Sequence, residues 1–382
     1  MVSCHPGAGR GKGPACFFTA APLLWPFHAR VLSSIRLCVL TPVDNYDVVI
    51  VGAGVAGCSA ALSLPAGARA LVVDRARDGS APCCGGLLAP DAQNALAFLD
   101  LKLPPAVRIT PEPRIVRVTD LDSGRSQSYQ RDYLNVDRAL FDAWLLDLAR
   151  EHADVLEETS FVAWDAGRVL LRSGRRTYEV SGRCVIGADG ANSTVRRRCF
   201  ATRPGPPLLL ALQAHVDCSE PPQAHVVLFS RAFTSFYAWA IPKGDGVLIG
   251  SAFADRQSAR ASFPRVLAWY RENLGLQHIP TEWSARLLSQ PRAHSHMFAG
   301  DAQILLAGEA AGLISPSSGE GISFALLSGA AAGRAVGSAA SDEAYRKTFS
   351  ELKRRVLMKT LKAKVIYSPA ARKWALRLPW CP

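Results

Sequence analysis

From Tyr46 the chain runs as short apolar stretches separated by glycine turns and helix-period segments: apolar from Tyr46 to Val51, helical from Val55 to Leu64, apolar again from Ala70 to Asp74. Strand, turn, helix and strand in that order predict a βαβ opening. Alternating segments over Arg114 to Thr119 and Ser126 to Tyr133 predict antiparallel strands, and a helix follows from Asp137, read as its N-cap, to about Glu151. Another β-rich stretch closes at Arg183 to Gly187. The Pro-rich link Arg203 to Pro207 precedes strand-like segments from Leu208 to Phe253 and a helix from about Ala259 to Leu274. A strand at Gln303 to Ala307 and a glycine-bounded helix from Gly319 to about Val336 return to the opening style. The pattern therefore predicts an α/β protein whose first domain is discontinuous, over 46–202 and 289–341, with a β excursion at 103–133. A second, antiparallel domain occupies 203–288, and a basic helical region fills 342–382.

Composition supports a folded chain: 49% of its 382 residues are apolar, enough for a sizeable core. No run of 18 residues is free of charge and proline, so a spanning helix is not predicted. Residues 1–45 show no compact element and no acid before Asp44, and Pro22, Pro26 and His28 break their apolar run. A targeting peptide, a start assigned too early and a disordered arm all fit this segment. The net charge of +12 is concentrated at the ends. Residues 345–382 hold eleven basic residues against Glu351, whereas the stretch from 46 to 344 is close to neutral, which argues against nucleic acid as a partner. Ten cysteines without paired CxxC spacing signal neither a zinc site nor a disulfide framework, and Cys58, Cys184 and Cys199 read as small buried hydrophobes of a cytoplasmic protein. His294 and His296 have no third ligand nearby and read as a surface loop, so no metal is expected. No Ser-His-Asp or Cys-His array is legible.

The chemistry lies in the glycines. VIVGAGVAG at 49–57 places Gly52, Gly54 and Gly57 in a G-x-G-x-x-G fingerprint between strand and helix. The first glycine allows the tight turn, the second admits a pyrophosphate against backbone, and the third lets helix and strand pack closely. Asp74, followed by Arg75, ends the second strand where a carboxylate is expected to meet ribose hydroxyls. Two further strand-to-turn sites follow. CVIGADG at 184–190 ends in Asp189 and Gly190, and ILLAGEAAGLISPSSGEGI at 304–322 carries Glu309, Gly312, Gly319, Gly321 and Ile322.

Three such sites in this order resemble the flavoproteins with a p-hydroxybenzoate-hydroxylase-like fold. Within them the chain looks most like the geranylgeranyl reductase family and its CbrA-like bacterial branch, through PCCGGLLAPDAQ at 82–93, YAWAIPKG at 237–244 and SSGEGISFAL at 317–326. The resemblance spans about residues 46–378. It implies a Rossmann-type FAD-binding domain with an inserted antiparallel-sheet substrate domain and a helical C-terminal region. Gly52, Gly54 and Gly57 would meet the FAD pyrophosphate, Asp74 the adenosine ribose, and Arg138 the phosphates or ribityl chain. Asp189 belongs to the second site, and Glu309 stands where the family usually has aspartate. The helix opening near Gly319 to Gly321 would aim its positive end at the flavin. Cys84, Gly85 and Gly86 would lie beside the ring, Cys84 either as a small turn residue or as a redox thiol. Tyr237, Trp239 and Ile241 share one strand face, either as core or as the wall of the substrate cavity.

The implied function is an FAD-dependent oxidoreductase reducing carbon–carbon double bonds of an isoprenoid-like, apolar or lipid-like substrate. NADPH, NADH or a ferredoxin would supply the electrons. A flavin monooxygenase shares the fold. A flavin halogenase carries a similar strand motif, but Tyr237 replaces its first tryptophan and no catalytic lysine is evident between Asp74 and Lys102. A non-catalytic flavin-binding resistance protein is the alternative of another class. In the tail, Phe349, Leu352, Val356, Leu357, Leu361 and Val365 recur at three- to five-residue steps among lysines and arginines. This amphipathic stripe either packs on the protein or contacts a membrane surface peripherally.

Overall fold

The structure, a computed structural model, describes residues 45–77, 83–277, 282–301, 303–337 and 339–377. The segment before Asn45, Pro82, His278 and Cys381 lie outside the described residues. The chain opens with β1 (Asn45–Val51), α1 (Val55–Ala61) and β2 (Ala70–Val73). There follow β3 (Leu87–Leu88), α2 (Pro90–Phe98), β4 (Ile115–Asp120), β5 (Arg125–Gln130), β6 (Leu134–Asn135) and α3 (Arg138–Arg150). Next come β7 (Asp154–Leu156), β8 (Thr159–Asp165), β9 (Arg168–Ser173), β10 (Arg176–Gly187) and α4 (Thr194–Cys199). The first sheet runs β7-β2-β1-β10-β9-β8. Its centre is parallel, and β1 and β2 are nearly continuous apolar runs because both of their faces are covered. β10 serves two layers of architecture: residues 176–181 pair with β9 in an antiparallel meander, while residues 181–187 run parallel to β1.

β11 (Leu208–Asp217), β12 (Ala224–Phe229), β13 (Ala238–Lys243), β14 (Gly246–Phe253), α5 (Arg256–Leu274) and β15 (Ser284–Ser289) follow. They build a second sheet in the order β15-β11-β14-β13-β12-β4-β5. Its pairings are antiparallel except that of β12 with β4, so the strands of the 103–133 excursion extend this sheet. β16 (Ile304–Leu306) then returns to β10, and α6 (Ile322–Arg334), α7 (Ala339–Tyr367) and α8 (Pro369–Ala375) complete the fold.

α1 and α6 touch backbone to backbone. A Cβ at Gly329 or Gly333 would stand 2.1 Å from the carbonyl oxygens of Ala56 and Ala60 respectively, so glycine at i and i+4 is what allows the approach. Ser59 Oγ donates to Leu326 O at 2.7 Å across the same contact. The helix that follows the first glycine loop is thereby fixed against the helix that opens the third glycine site.

The tail stripe divides. Phe349, Leu352 and Val356 are buried in the main core with Tyr345, whereas Leu361 and Val365 are exposed together with Met358. Arg372, counted in the basic tail, is 3% exposed and is consumed by Asp120 and Asp122 at 2.8 and 2.7 Å, which pins α8 to the end of β4. Cys58 is fully buried, but Cys184 and Cys199 are only partly so, and the six described cysteines are free. His294 and His296 form a short 3-10 turn, in which His296 Nδ1 accepts from the Arg292 N–H at 3.0 Å. No helix among the described residues is long and apolar enough to cross a membrane.

Candidate active site

A cavity of about 810 Å³ opens at the C-terminal ends of β1 and β2, within the range of small-molecule sites. Its walls include Gly52, Gly54, Asp74, Arg75, Asp189 and Gly190. The three fingerprint glycines have the distinct constraints expected from the spacing. Gly52 has φ +108°, and a Cβ there would stand 2.5 Å from Ala188 O. Gly57 sits against the Gly52 carbonyl, where a Cβ would be 1.8 Å from oxygen. At Gly54 a Cβ would meet nothing within 4 Å, so the space beside that backbone is open for a ligand. Asp74 Oδ2 accepts from the Ala53 N–H at 2.6 Å and Oδ1 from the Ala76 N–H at 2.7 Å. Each carboxylate oxygen keeps a lone pair for a hydroxyl donor.

At the second site, Asp189 is turned onto its own loop: it accepts from Ser193 Oγ at 2.5 Å and from the N–H groups of Thr194 and Val195 at 2.5 and 3.1 Å. Burial pushes its carboxyl up, partly offset by those donors. Its side chain shapes the turn that presents Gly190. Arg138 begins α3 behind a cap in which Asp137 accepts from Ala139 and Leu140 N–H groups. Its guanidinium makes a forked pair with Asp142 at 2.9 and 3.1 Å, and it is Asp142 that lines the cavity.

A cradle with open space at the middle glycine and an acid at the end of the second strand fits the adenosine and pyrophosphate portion of a dinucleotide. A family profile for FAD binding domains matches residues 149–356, more than half of the chain, and another FAD binding domain profile matches residues 47–102. The chain belongs to this family of FAD-dependent oxidoreductases. Protein CbrA of Shigella flexneri serotype 5b is 30% identical over 87% of this chain and 93% of its own length. Among solved structures, a geranylgeranyl bacteriochlorophyll reductase-like protein from Thermoplasma acidophilum superposes with a TM-score of 0.73 at 22% identity, covering 87% of this chain and 90% of that one. PqsL, a probable FAD-dependent monooxygenase from Pseudomonas aeruginosa, gives 0.66 at 19% identity, covering 87% and 99%. At these identities the two structures share the fold.

The remaining sequence-predicted residues lie outside the lining of that cavity, where the second sheet meets the first domain. Glu309 is half-buried, accepts from the Ser289 N–H at 3.2 Å, and is pushed up by desolvation against the opposing pull of Arg286. Gly312 has φ +76° and Gly319 φ +69°, and Gly321 is the N-cap of α6, with Ile322 its first residue. The fingerprint turn therefore holds the glycines, and the helix starts after them. No side chain caps α6 and no acid occupies its first turn, which leaves the positive end of the helix open to negative charge. Gly86 lies under Lys243, and a Cβ on Gly85 would come 2.7 Å from Ile241 Cδ1. Burial pushes the Cys84 thiol up, but the Arg138 guanidinium, the Gly86 N–H and Arg286 outweigh it and hold the thiol below its ordinary value.

Strand β13 starts one residue after Tyr237. The Tyr237 ring still shares a face with Trp239, at 5.5 Å between ring centres, and its hydroxyl donates to Ser318 O at 2.6 Å. Trp239 lies across Gly250 of β14, where a Cβ would stand 2.4 Å from the indole. The indole Nε1–H is buried without a partner among the described residues. Sequence reading missed Arg286, which faces the cavity from β15, and Lys243, which donates to Val136 O at 2.9 Å and which burial pulls down to about 8. The segment Ser284–Ser289 lacks alternation, so nothing in its pattern announced a strand carrying Arg286. Asp142 was legible only as the residue one helical turn beyond Arg138. Among the described residues, no group of His, Cys, Asp and Glu could hold a metal ion.

Proposed function

We propose that the chain reduces carbon–carbon double bonds of an isoprenoid-like substrate, using electrons from NADPH, NADH or a ferredoxin. The observation that carries the reading is the apolar floor on the second sheet. Leu209, Phe236, Trp239, Ile241 and Ala252 form one buried cluster, on which Tyr237 and Leu288 pack, directly across from the Cys84–Gly86 and Ser318–Gly319 backbone. Bound FAD supplies the two-electron transfer between donor and substrate. Gly54 and Asp74 would hold its nucleotide end, and the uncapped α6 N-terminus would favour negative charge on the ring. The apolar floor orients an alkene and excludes water, and the half-buried Tyr237 phenol, pushed up by desolvation, keeps its proton. Overall, one double bond gains two electrons and two protons, and a reduced nicotinamide donor becomes oxidised.

The test is anaerobic single turnover. Photoreduced FAD-loaded protein mixed with a prenyl lipid should regain the oxidised flavin spectrum and give a product heavier by two hydrogens. Reoxidation by oxygen alone, with an oxygen atom entering an organic product, would place the chain with the monooxygenases.

We also propose that α7 and α8 lie on an anionic membrane surface. Met358, Leu361 and Val365 project from one side of α7, Trp374 projects from α8, and Arg354, Lys364, Lys373 and Arg377 stand exposed around them. Apolar side chains ringed by basic ones match an anionic lipid interface.

A further inference from the structure

Behind Tyr237 and Ser318, a pocket of about 100 Å³ opens between the second sheet and α7. It is far smaller than a whole-ligand site, for which roughly 300–1,000 Å³ is usual, and so has room for a group of only a few heavy atoms. Its lining is mixed: Val118, Val227, Phe229 and Ile366 share it with the basic Arg131, Lys359 and Lys362 and the carboxylate of Glu320. Arg131 lies 3.5 Å from Glu320, whose other oxygen accepts from the Tyr133 hydroxyl at 3.0 Å. Asp91 approaches Lys359 at 3.7 Å and Arg355 at 3.8 Å. The guanidinium Nε of Arg131 is buried with no hydrogen-bond partner among the described residues.

His225 provides an independent pointer. It lines the pocket from β12 at 7% exposure, and neither ring nitrogen has a hydrogen-bond partner among the described residues. A neutral imidazole carries one donor and one acceptor, and leaving both buried and unmade costs on the order of 1–3 kcal/mol each. A pocket that leaves an imidazole and a guanidinium N–H unmatched, with Arg131, Lys359 and Lys362 facing the carboxylate of Glu320 in its lining, suits an oxyanion.

We infer that this pocket is an anion subsite that takes the phosphate-sized headgroup of the substrate, while the attached chain runs along the Tyr237 and Trp239 floor. This rests on the apolar-substrate reading above. It explains why the pocket opens beside the same Tyr237 and Ser318 pair that closes the end of that floor.

Binding to FAD-loaded, oxidised protein tests it without turnover, using farnesyl monophosphate, farnesol and inorganic phosphate as probes in calorimetry. Farnesyl monophosphate should bind at least about tenfold more tightly than farnesol, a factor typical of one charge-assisted hydrogen bond. Arg131→Met and the surface variant Lys362→Met should each erase most of that ratio while leaving farnesol affinity and FAD content unchanged. Inorganic phosphate should compete weakly in the wild type and less in Lys362→Met. Equal affinity for farnesyl monophosphate and farnesol in the wild type would overturn the subsite. Inorganic phosphate binding as tightly as farnesyl monophosphate would overturn the headgroup assignment in favour of a free anion. If farnesol fails to bind while phosphate still depends on Lys362, the substrate reading fails and the anion site stands.

Discussion

A single added methyl group separates the duties of Gly57 and Gly54. Gly57→Ala puts a Cβ 1.8 Å from the Gly52 carbonyl, where only backbone movement can relieve the clash. The unfolding midpoint in urea should fall by the equivalent of about 1–3 kcal/mol, with loss of FAD as a consequence. Gly54→Ala meets no protein atom. Its FAD-free stability should stay within about 0.5 kcal/mol of wild type while FAD affinity drops. Equal loss of stability in both variants would contradict these roles. His225 gives a pH signature. Burial, and then Arg131, pull its imidazole down to about 4 in the folded chain. Around it stand Arg131 and Tyr133 beside β5, Glu320, and Lys359 and Lys362 of α7. An unfolded histidine titrates near 6.5. Between those values the unfolded chain takes up a proton that the folded chain refuses, so stability is lost as pH falls from about 6.5 to 4, by up to about 3 kcal/mol. His225→Phe should flatten that part of the urea-midpoint profile; an unchanged slope would remove His225 as its source.

Elements whose signal is local were legible in the sequence. Asp137 marks the start of α3 because a short carboxylate satisfies the first free N–H groups, and the structure shows those hydrogen bonds. The helix read from Gly319 begins three residues later because both glycines are spent in the turn. The α7 stripe has a uniform helical period, but what covers it depends on tertiary packing, so sequence could not tell the buried Phe349 end from the exposed Leu361 end. That exposed end is measurable. The wild-type protein should co-sediment with phosphatidylglycerol vesicles and much less with phosphatidylcholine, and Leu361→Asp together with Trp374→Ala should abolish the difference. Retained binding by the double variant would show that another surface carries the contact.

At the scale of the molecule, the order of the glycine sites was enough to anticipate that distant segments return to one sheet, as β16 does on β10. The pairing of β4 with β12 was not legible, because parallel partners far apart in sequence leave no mark on local alternation. Nor could the contact of α6 on α1 be read without seeing Gly329 and Gly333 meet the Ala56 and Ala60 carbonyls. That contact sets α1, which follows the first glycine loop, against α6, which follows the third, an arrangement in which both loops would serve one bound FAD. Titration of the flavin-free protein with FAD, followed by visible absorbance and melting temperature, tests this most directly. The account predicts saturation at one FAD per chain with a raised melting temperature. Protein that stays colourless after riboflavin-rich expression, with a melting temperature unmoved by added FAD, would contradict it.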